Sequence, residues 1–294
     1  MQAKRKLVDK LSSGWMAFSL AFFLLLPLAI GFGLILKSKG LFHEHSLLSL
    51  LFSGNWAPSQ NKFGFWPFIV SSLWVTVLAI VIAAPVCLLS AIYLSQFAPV
   101  RSLKLMRSVI DILAGIPSVI YGVWGILVMV PFVNSLGTIL HTETTGFSIL
   151  AAALVLAVMS IPYVLNMLLE VFGQIPVELQ EASLSLGATK WETIKHILLR
   201  KGLSGIISAI GLGFSKALGE TIAVLMVVGN VVQIPKNAFS SGYTLPSLIA
   251  NNYGEMMSIP SYDAALMFGA LLLFAIILVF NILFRYIIYK SEVQ

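Results

Sequence analysis

Six long apolar runs leave this chain of 294 residues few folds to choose from: Trp15–Leu36, Pro67–Phe97, Ser108–Phe132, Phe147–Phe172, Leu203–Val228 and Tyr262–Tyr289. Each meets the roughly 20 residues that an α-helix needs to cross a bilayer. Hydrocarbon offers no water to the backbone, so a continuously apolar run satisfies its N–H and C=O groups by coiling into a helix. The second and sixth runs exceed one crossing and imply tilt or extension into water. Composition agrees, with 59% hydrophobic and 10% charged residues against about 25% charged in an ordinary soluble domain. The expected fold class is an all-α integral membrane protein with six transmembrane helices.

Six crossings put both ends of the chain on one side. That side holds Lys4, Arg5, Lys6, Lys10, Arg101, Lys104, Arg107, Lys190, Lys195, Arg200, Lys201, Arg285 and Lys290, whereas Lys37, Lys39, Lys62 and Lys236 fall on the other. Lys and Arg near helix ends are retained in the cytoplasm, so both termini are expected there. The net charge of +6 then reflects topology and contact with anionic membrane lipid, and no nucleic-acid partner is expected. The first run is long and lacks a small-residue cleavage site, which reads as an uncleaved helix. Cys87 lies within the second run and is the single cysteine, so no internal disulfide forms.

Residues 1–66 read as an N-terminal tail, first helix and outer loop, and 67–289 as a five-helix core with a cytoplasmic segment at 173–202. Residues 290–294 read as a tail. Outward stretches run over 37–66, 133–146 and 229–261. In the first, Trp56, Phe63, Phe65 and Trp66 form either an interfacial aromatic belt or a docking surface, the belt being favoured. His43 and His45 flank Glu44, but no further ligands complete a metal site, and none is expected. No pair of interrupted helices recurs in corresponding halves, which counts against a secondary carrier.

In the third run Gly115, Ser118, Gly122 and Gly125 recur at helical spacing and offer a face on which another helix can approach closely. Pro117 loosens the helix there and frees a carbonyl. Asp111 sits one turn from Arg107 and can pair with it.

The longest inward connection, Gly173–Gly202, is patterned. Pro176 opens a helix over Val177–Leu186 and Gly187 ends it in the left-handed conformation. Thr189 with Glu192 forms a capping box for a second helix toward Leu199. Leu179, Ala182 and Leu186 share one face of the first piece, the shape of a lever that presses into a groove on another protein. A membrane-surface helix is the alternative, and it explains the acidic first piece poorly.

The run "EASLSLGATKWETIKHILLR" resembles the EAA loop of ABC-type importer permeases through Glu181, Ala182, Gly187, Ile197 and Leu199. Ser183 replaces a usual alanine. Arg200 replaces a usual proline, so the second helix is expected to run directly into the fifth span. The strings "LLSAIYLSQFAP", "AGIPSVIYGVWGILVMVPF" and "GFSKALGETIAVLMVVGN" are similar to the PstC-type permease of the phosphate importer.

That resemblance implies a type I importer permease fold in a bacterial inner membrane. It also implies a second, PstA-like permease partner, a cytoplasmic ATPase dimer and an external phosphate-binding protein. Glu181, Ala182, Gly187 and Ala188 would couple to the ATPase. The chain has no Gly-x-x-x-x-Gly-Lys-Ser/Thr loop, so ATP and Mg²⁺ belong to the partner and this chain is not an enzyme.

Lys216 and Glu220 stand four residues apart inside an apolar run. A charge at this depth costs about 2.5 to 3.5 kcal/mol on insertion scales and is a functional candidate by default. On one helix the two would share a face and neutralise one another. Lys216, Glu220 and Thr221 are placed on an anion path, with Ser215 as a further hydroxyl donor; a purely structural ion pair is the alternative. The related permeases usually carry arginine at position 216, and lysine lacks its bidentate fork. Sulfate or molybdate permeation is the nearest competing function, a carrier or channel the next. An intramembrane enzyme is disfavoured because no nucleophile accompanies the pair.

Overall fold

The computed structural model describes residues 2–255 and 258–292. The side chains of Lys4, Arg5 and His43, and residues 293 and 294 of the expected C-terminal tail, lie outside the described residues. Helix α1 (Gln2–Glu44) takes up the expected N-terminal tail and the start of the first outer loop. It is followed by α2 (Leu47–Phe52), the hairpin β1 (Trp56–Ala57) and β2 (Lys62–Phe63), then α3 (Trp66–Gln96) and α4 (Val100–Gly115). Helix α5 (Ser118–Trp124) passes through a π-turn at Gly125–Met129 into α6 (Val130–Ile139), and α7 (Ile149–Gly173) follows. The inward segment holds α8 (Val177–Ser185), α9 (Lys190–Thr193), a second π-turn at Ile194–Leu198 and α10 (Leu199–Lys201). The chain ends with α11 (Leu203–Leu218), α12 (Ile222–Val227), α13 (Leu245–Asn252) and α14 (Pro260–Glu292), the last absorbing residues 290–292.

Among the described residues, five stretches are long and apolar enough to cross a bilayer: Asp9–Phe42, Trp66–Gln96, Ser118–Ile139, Ile149–Gly173 and Pro260–Ser291. Between the fourth of these and the last, Lys190–Lys201 meets Leu203–Leu218 at 66°, a bent pair that together qualifies as a further crossing, the fifth in chain order. The second inward helix therefore does not run straight into the span: Gly202 ends it, and the missing proline at 200 is not needed to make the corner.

The third crossing also departs from expectation. Its helix begins at Ser118, because the residue before a proline avoids the α region; Ile116 is extended (ψ 126°), and so is Pro117 (ψ 143°). Residues 108–115 belong instead to α4, a separate helix in which only Ile110 is buried. The Ile116–Pro117 break therefore lies before the third crossing, which runs unbroken over Ser118–Ile139.

Helix α7 is the axis of the molecule. It packs along α3 and receives α4, α11 and α12, while α1 lies outside against α14. Both helices bury small side chains, Ala151, Ala152, Ala153 and Ala157 on α7 and Ala79, Ala83 and Ala91 on α3, all essentially inaccessible. Without a hydrophobic drive between helices in lipid, close approach of small residues is what holds such pairs.

A separate core closes the end away from the basic residues. Trp56 packs edge-on against Phe63, Phe65, Phe68 and Tyr262 at 5.0–5.9 Å between ring centroids. Phe63 and Phe65 are buried, so with Trp56 they form the interior of a cap and neither a lipid belt nor a docking surface; half-buried Trp66 lies beside it, tilted against exposed Phe52. The third outer stretch is equally built in. Ile149 and Leu150 donate to Ser240 O and Ala238 O, Leu245 donates to Ser72 Oγ at 2.8 Å, and Leu245 and Leu248 are fully buried.

Candidate functional site: the broken fifth span and the inward lever

Lys216 occupies the last turn of α11, which stops at Leu218. Gly219, Glu220 and Thr221 then form a break before α12 starts at Ile222. Lys216 and Glu220 therefore do not sit one turn apart on a single helix, and the expected mutual neutralisation is not what the structure shows. The Lys216 ammonium lies on the face of the Tyr163 ring from α7, where the negative π-face attracts a cation. Glu220 turns the other way, and its Oε1 accepts the Ala223 N–H at 3.5 Å, a partner for one of the free donors at the start of α12.

Glu220 also lines a cavity of about 10 Å³ with Ser72 and Thr76 of α3 and Thr244. That volume and this polar lining suit about one water molecule. Thr221 is spent locally, its hydroxyl donating to Gly219 O at 3.4 Å. Ser215 faces α14, where it donates to Asn281 Oδ1 at 3.0 Å, which removes it from the Lys216 side.

Tyr163 also reaches the break before the third span. Its hydroxyl donates to Ala114 O at 2.8 Å, and the Tyr121 hydroxyl donates to Leu113 O at 2.9 Å. Two carbonyls beside the Ile116–Pro117 break thus accept tyrosine hydroxyls, Leu113 O also accepting the Ile116 N–H, as backbone groups at membrane depth require. Neither tyrosine stands out by sequence pattern; the weak available signal is Tyr163 directly after Pro162 in the middle of an apolar run. One turn further along α7, Asn166 donates to Asp111 Oδ1 of α4 at 3.3 Å, so Asp111 is engaged across helices.

The four small residues of the third run separate. A Cβ on Gly125 would come within 2.7 Å of Val155 and 2.8 Å of Val227, so α7 and α12 close in on it, and Gly122 is pressed on by Met226. Gly115 has open space where its Cβ would stand, and it lies on α4 across the break. Ser118 starts the helix that carries the two packed glycines. The four do not make one continuous face.

At the inward end, α8 projects from the bundle. Glu181, Ala182 and Gly187 are exposed and Ala188 is half-buried, while Leu186 is 89% exposed and Leu184 and Trp191 also face outward. Gly187 has φ +86°, where any residue with a Cβ is strained. The corner is held from behind, since Ser183 and Thr193 share a hydrogen bond of 2.9 Å and Thr193 is buried. Behind Thr193, Ile194 and Leu198 are fully buried in the same cluster as Leu168 and Phe172 of α7. The capping box is complete: Thr189 Oγ1 accepts the Glu192 N–H and the Glu192 carboxylate accepts the Thr189 N–H. Those bonds from Thr189 hold the Glu192 carboxyl below the usual range. Lys190 rests over the Phe97 ring at 4.4 Å and ties the second piece to the end of α3.

A rigidly rooted, outward-facing lever and an interrupted span carrying a lysine are features of a subunit that works with others, and comparison with known proteins points the same way. A family model described as "Binding-protein-dependent transport system inner membrane component" matches residues 89–290, more than half of the chain. A Bacillus subtilis relative, "Probable ABC transporter permease protein YqgH", is 35% identical over 250 residues, covering 84% of this chain and 80% of the relative. A Xylella fastidiosa relative, "Phosphate transport system permease protein PstC", is 37% identical over 242 residues, covering 77% and 74% respectively. Among solved structures, an inward-facing conformation of the MetNI methionine ABC transporter shares the fold at a TM-score of 0.56 and 22% identity, covering 78% of this chain and 94% of that one. The chain belongs to the family of inner-membrane permease components of binding-protein-dependent ABC transport systems, whose members are the non-catalytic, membrane-spanning part.

Proposed function

We propose that this permease moves inorganic phosphate inward by alternating access. The observation that carries the reading is Lys216: a half-buried lysine next to the break in the fifth span, held by an aromatic face while the carboxylate four residues on is turned toward another helix. A cation held this way keeps its charge for an arriving anion, whereas a close ion pair would cancel it. The relatives named as phosphate permeases support phosphate over other oxyanions. Glu220 holds the start of α12 and sets the shape of the break, and Thr221 completes the turn.

Family membership brings an external binding protein and a partner ATPase. We assign ATP and Mg²⁺ to that ATPase and dock its groove on α8 through Glu181, Ala182, Gly187 and Ala188. The second permease of a heterodimer would be PstA-like. Closure of the ATPases moves α8, and the spans rooted on Ile194 and Leu198 swing between two packed states.

The test is reconstitution of the co-purified complex with its binding protein, followed by ATP-dependent uptake of labelled phosphate against sulfate. Phosphate uptake is expected in the parent, and Lys216→Gln is expected to lose most of it while the complex still assembles. Uptake at the parent rate in that variant would reduce Lys216 to a packing residue. Sulfate uptake in place of phosphate would move the protein to the neighbouring oxyanion class.

A further inference from the structure

The inference rests on the reading of Lys216 as the anion station and concerns how that station is connected to the rest of the molecule. Three observations meet at one side chain. The Tyr163 ring carries the Lys216 ammonium. Its hydroxyl donates to Ala114 O at 2.8 Å, in the last turn of α4. On the same face of α7, three residues on, Asn166 donates to Asp111 Oδ1 of α4.

Helix α4 is otherwise lightly held. Ile110 is its one buried residue among those described. On one side lies a cleft of about 660 Å³ against α3 and α7, and on the other a smaller one of about 230 Å³ lined by Arg107, Asp111, Asn166 and Glu170. A helix with cavities on both flanks and an elbow at Ile116–Pro117 has room to swing, and elements with few buried contacts are those that open at low cost.

We propose that Tyr163 is a positioning residue that links occupancy of the Lys216 site to the position of α4. With no anion present, Lys216 rests on the ring and the hydroxyl latches Ala114, which keeps α4 against α7. A phosphate drawing the ammonium off the ring exchanges a cation–π contact for a charge–charge one. The ring is then free to turn, the bond to Ala114 loosens, and α4 stays on α7 through Asn166–Asp111 and the apolar contact of Ile110. Anion capture is thereby coupled to movement at the inward end. An uncharged aromatic suits this role because a carboxylate in its place would compete with phosphate for the lysine.

The test separates ring from hydroxyl in the reconstituted complex, with phosphate KM and kcat of uptake read together. Tyr163→Phe keeps the ring and loses the latch; it is expected to hold KM within about two-fold and lower kcat by about five-fold or more. Tyr163→Leu loses both and is expected to shift KM by about five-fold as well. Assembly is checked by co-purification of the partner subunits. If Tyr163→Leu does not assemble, Asn166→Ala cuts the second latch with ring and lysine intact, and it is expected to lower kcat at unchanged KM.

A parent kcat in Tyr163→Phe, or the same KM and kcat in the Phe and Leu variants, overturns the inference. Run in parallel, Lys216→Gln with parent kinetics removes the anion-station reading and the inference with it. An impaired Lys216→Gln beside a parent-like Tyr163→Phe overturns the inference alone.

Discussion

Helices α1 and α7 are both long, apolar and without acidic residues in their most hydrophobic stretch, yet 6% of that stretch is buried in α1 and 67% in α7. The difference lies in side-chain size. Helix α7 carries Ala151, Ala152, Ala153, Ala157 and Ser160, all buried among the helices that surround it. Helix α1 presents Trp15, Phe18, Phe22, Phe23, Leu24 and Leu28 outward, each more than half exposed. Lipid tails are as apolar as leucine, so hydrophobicity sends both helices into the membrane and cannot rank them there. Small residues that let backbones approach decide which becomes the axis. The match to the transport family begins at residue 89 and leaves α1 out, as befits a helix that touches the bundle through α14 and the outer cap.

Substitutions at the two helices should therefore differ in kind. The largest effect is expected where another span closes on α7. A Cβ on Gly213 of α11 would stand 2.5 Å from Val164, so Gly213→Leu must spread the pair; overpacking of this sort costs typically 1–3 kcal/mol. Loss of folded complex on size-exclusion chromatography, or a lowered melting temperature in detergent, is the readout. A parent-like complex would mean that α7 is less tightly enclosed than described.

Next comes the lever that α7 feeds. Gly187→Val forces a β-branched residue into φ +86°, at roughly 1–2 kcal/mol for the backbone alone. The expected outcome is an assembled complex that hydrolyses ATP with little phosphate uptake. Full coupling in that variant would show that the corner is not the transmitting element.

A smaller effect is expected at the capping box. Thr189→Ala should speed amide exchange at the start of α9 and lower coupling only in part. Because the folded-state carboxyl of Glu192 is held low, its contribution is present at neutral pH and above the unfolded carboxylate value, and it is lost as pH falls through the folded one. The exchange difference between parent and Thr189→Ala should therefore narrow under acid conditions, and a constant difference would place the effect elsewhere.

The least response belongs to α1. Leu24→Ala, on a side chain 66% exposed, should change stability by less than about 0.5 kcal/mol and leave uptake unaltered. A large loss there would reveal that a partner subunit covers this face.

Much of the inward segment was legible because its signals are local. Pro176, Gly187, Thr189 and Glu192 each dictate backbone or hydrogen bonding within a few residues, and the corner forms where they stand. The station at Lys216 was legible only as an isolated charge. Its true neighbour, Tyr163, is more than fifty positions away on another helix, and helical spacing pointed instead to Glu220. That pairing fails because α11 ends at Leu218, before the next turn that would have brought the two together. The outer aromatic residues misled for a similar reason: alone they read as an interfacial belt, but α1, α3, α13 and α14 converge on them and make a core.

By itself the sequence determined that the chain is a multi-pass membrane protein of apolar helices and which of its connections carry the basic residues. It also determined that a capped helical corner stands between the fourth and fifth crossings. These follow from backbone hydrogen bonding in hydrocarbon, from charge, and from chemistry within one turn. Tertiary structure alone decided which helix is the axis and that Lys216 meets an aromatic ring and not a carboxylate. Those outcomes depend on which surfaces can approach closely enough to pack, a property of pairs of helices that no single stretch of chain encodes.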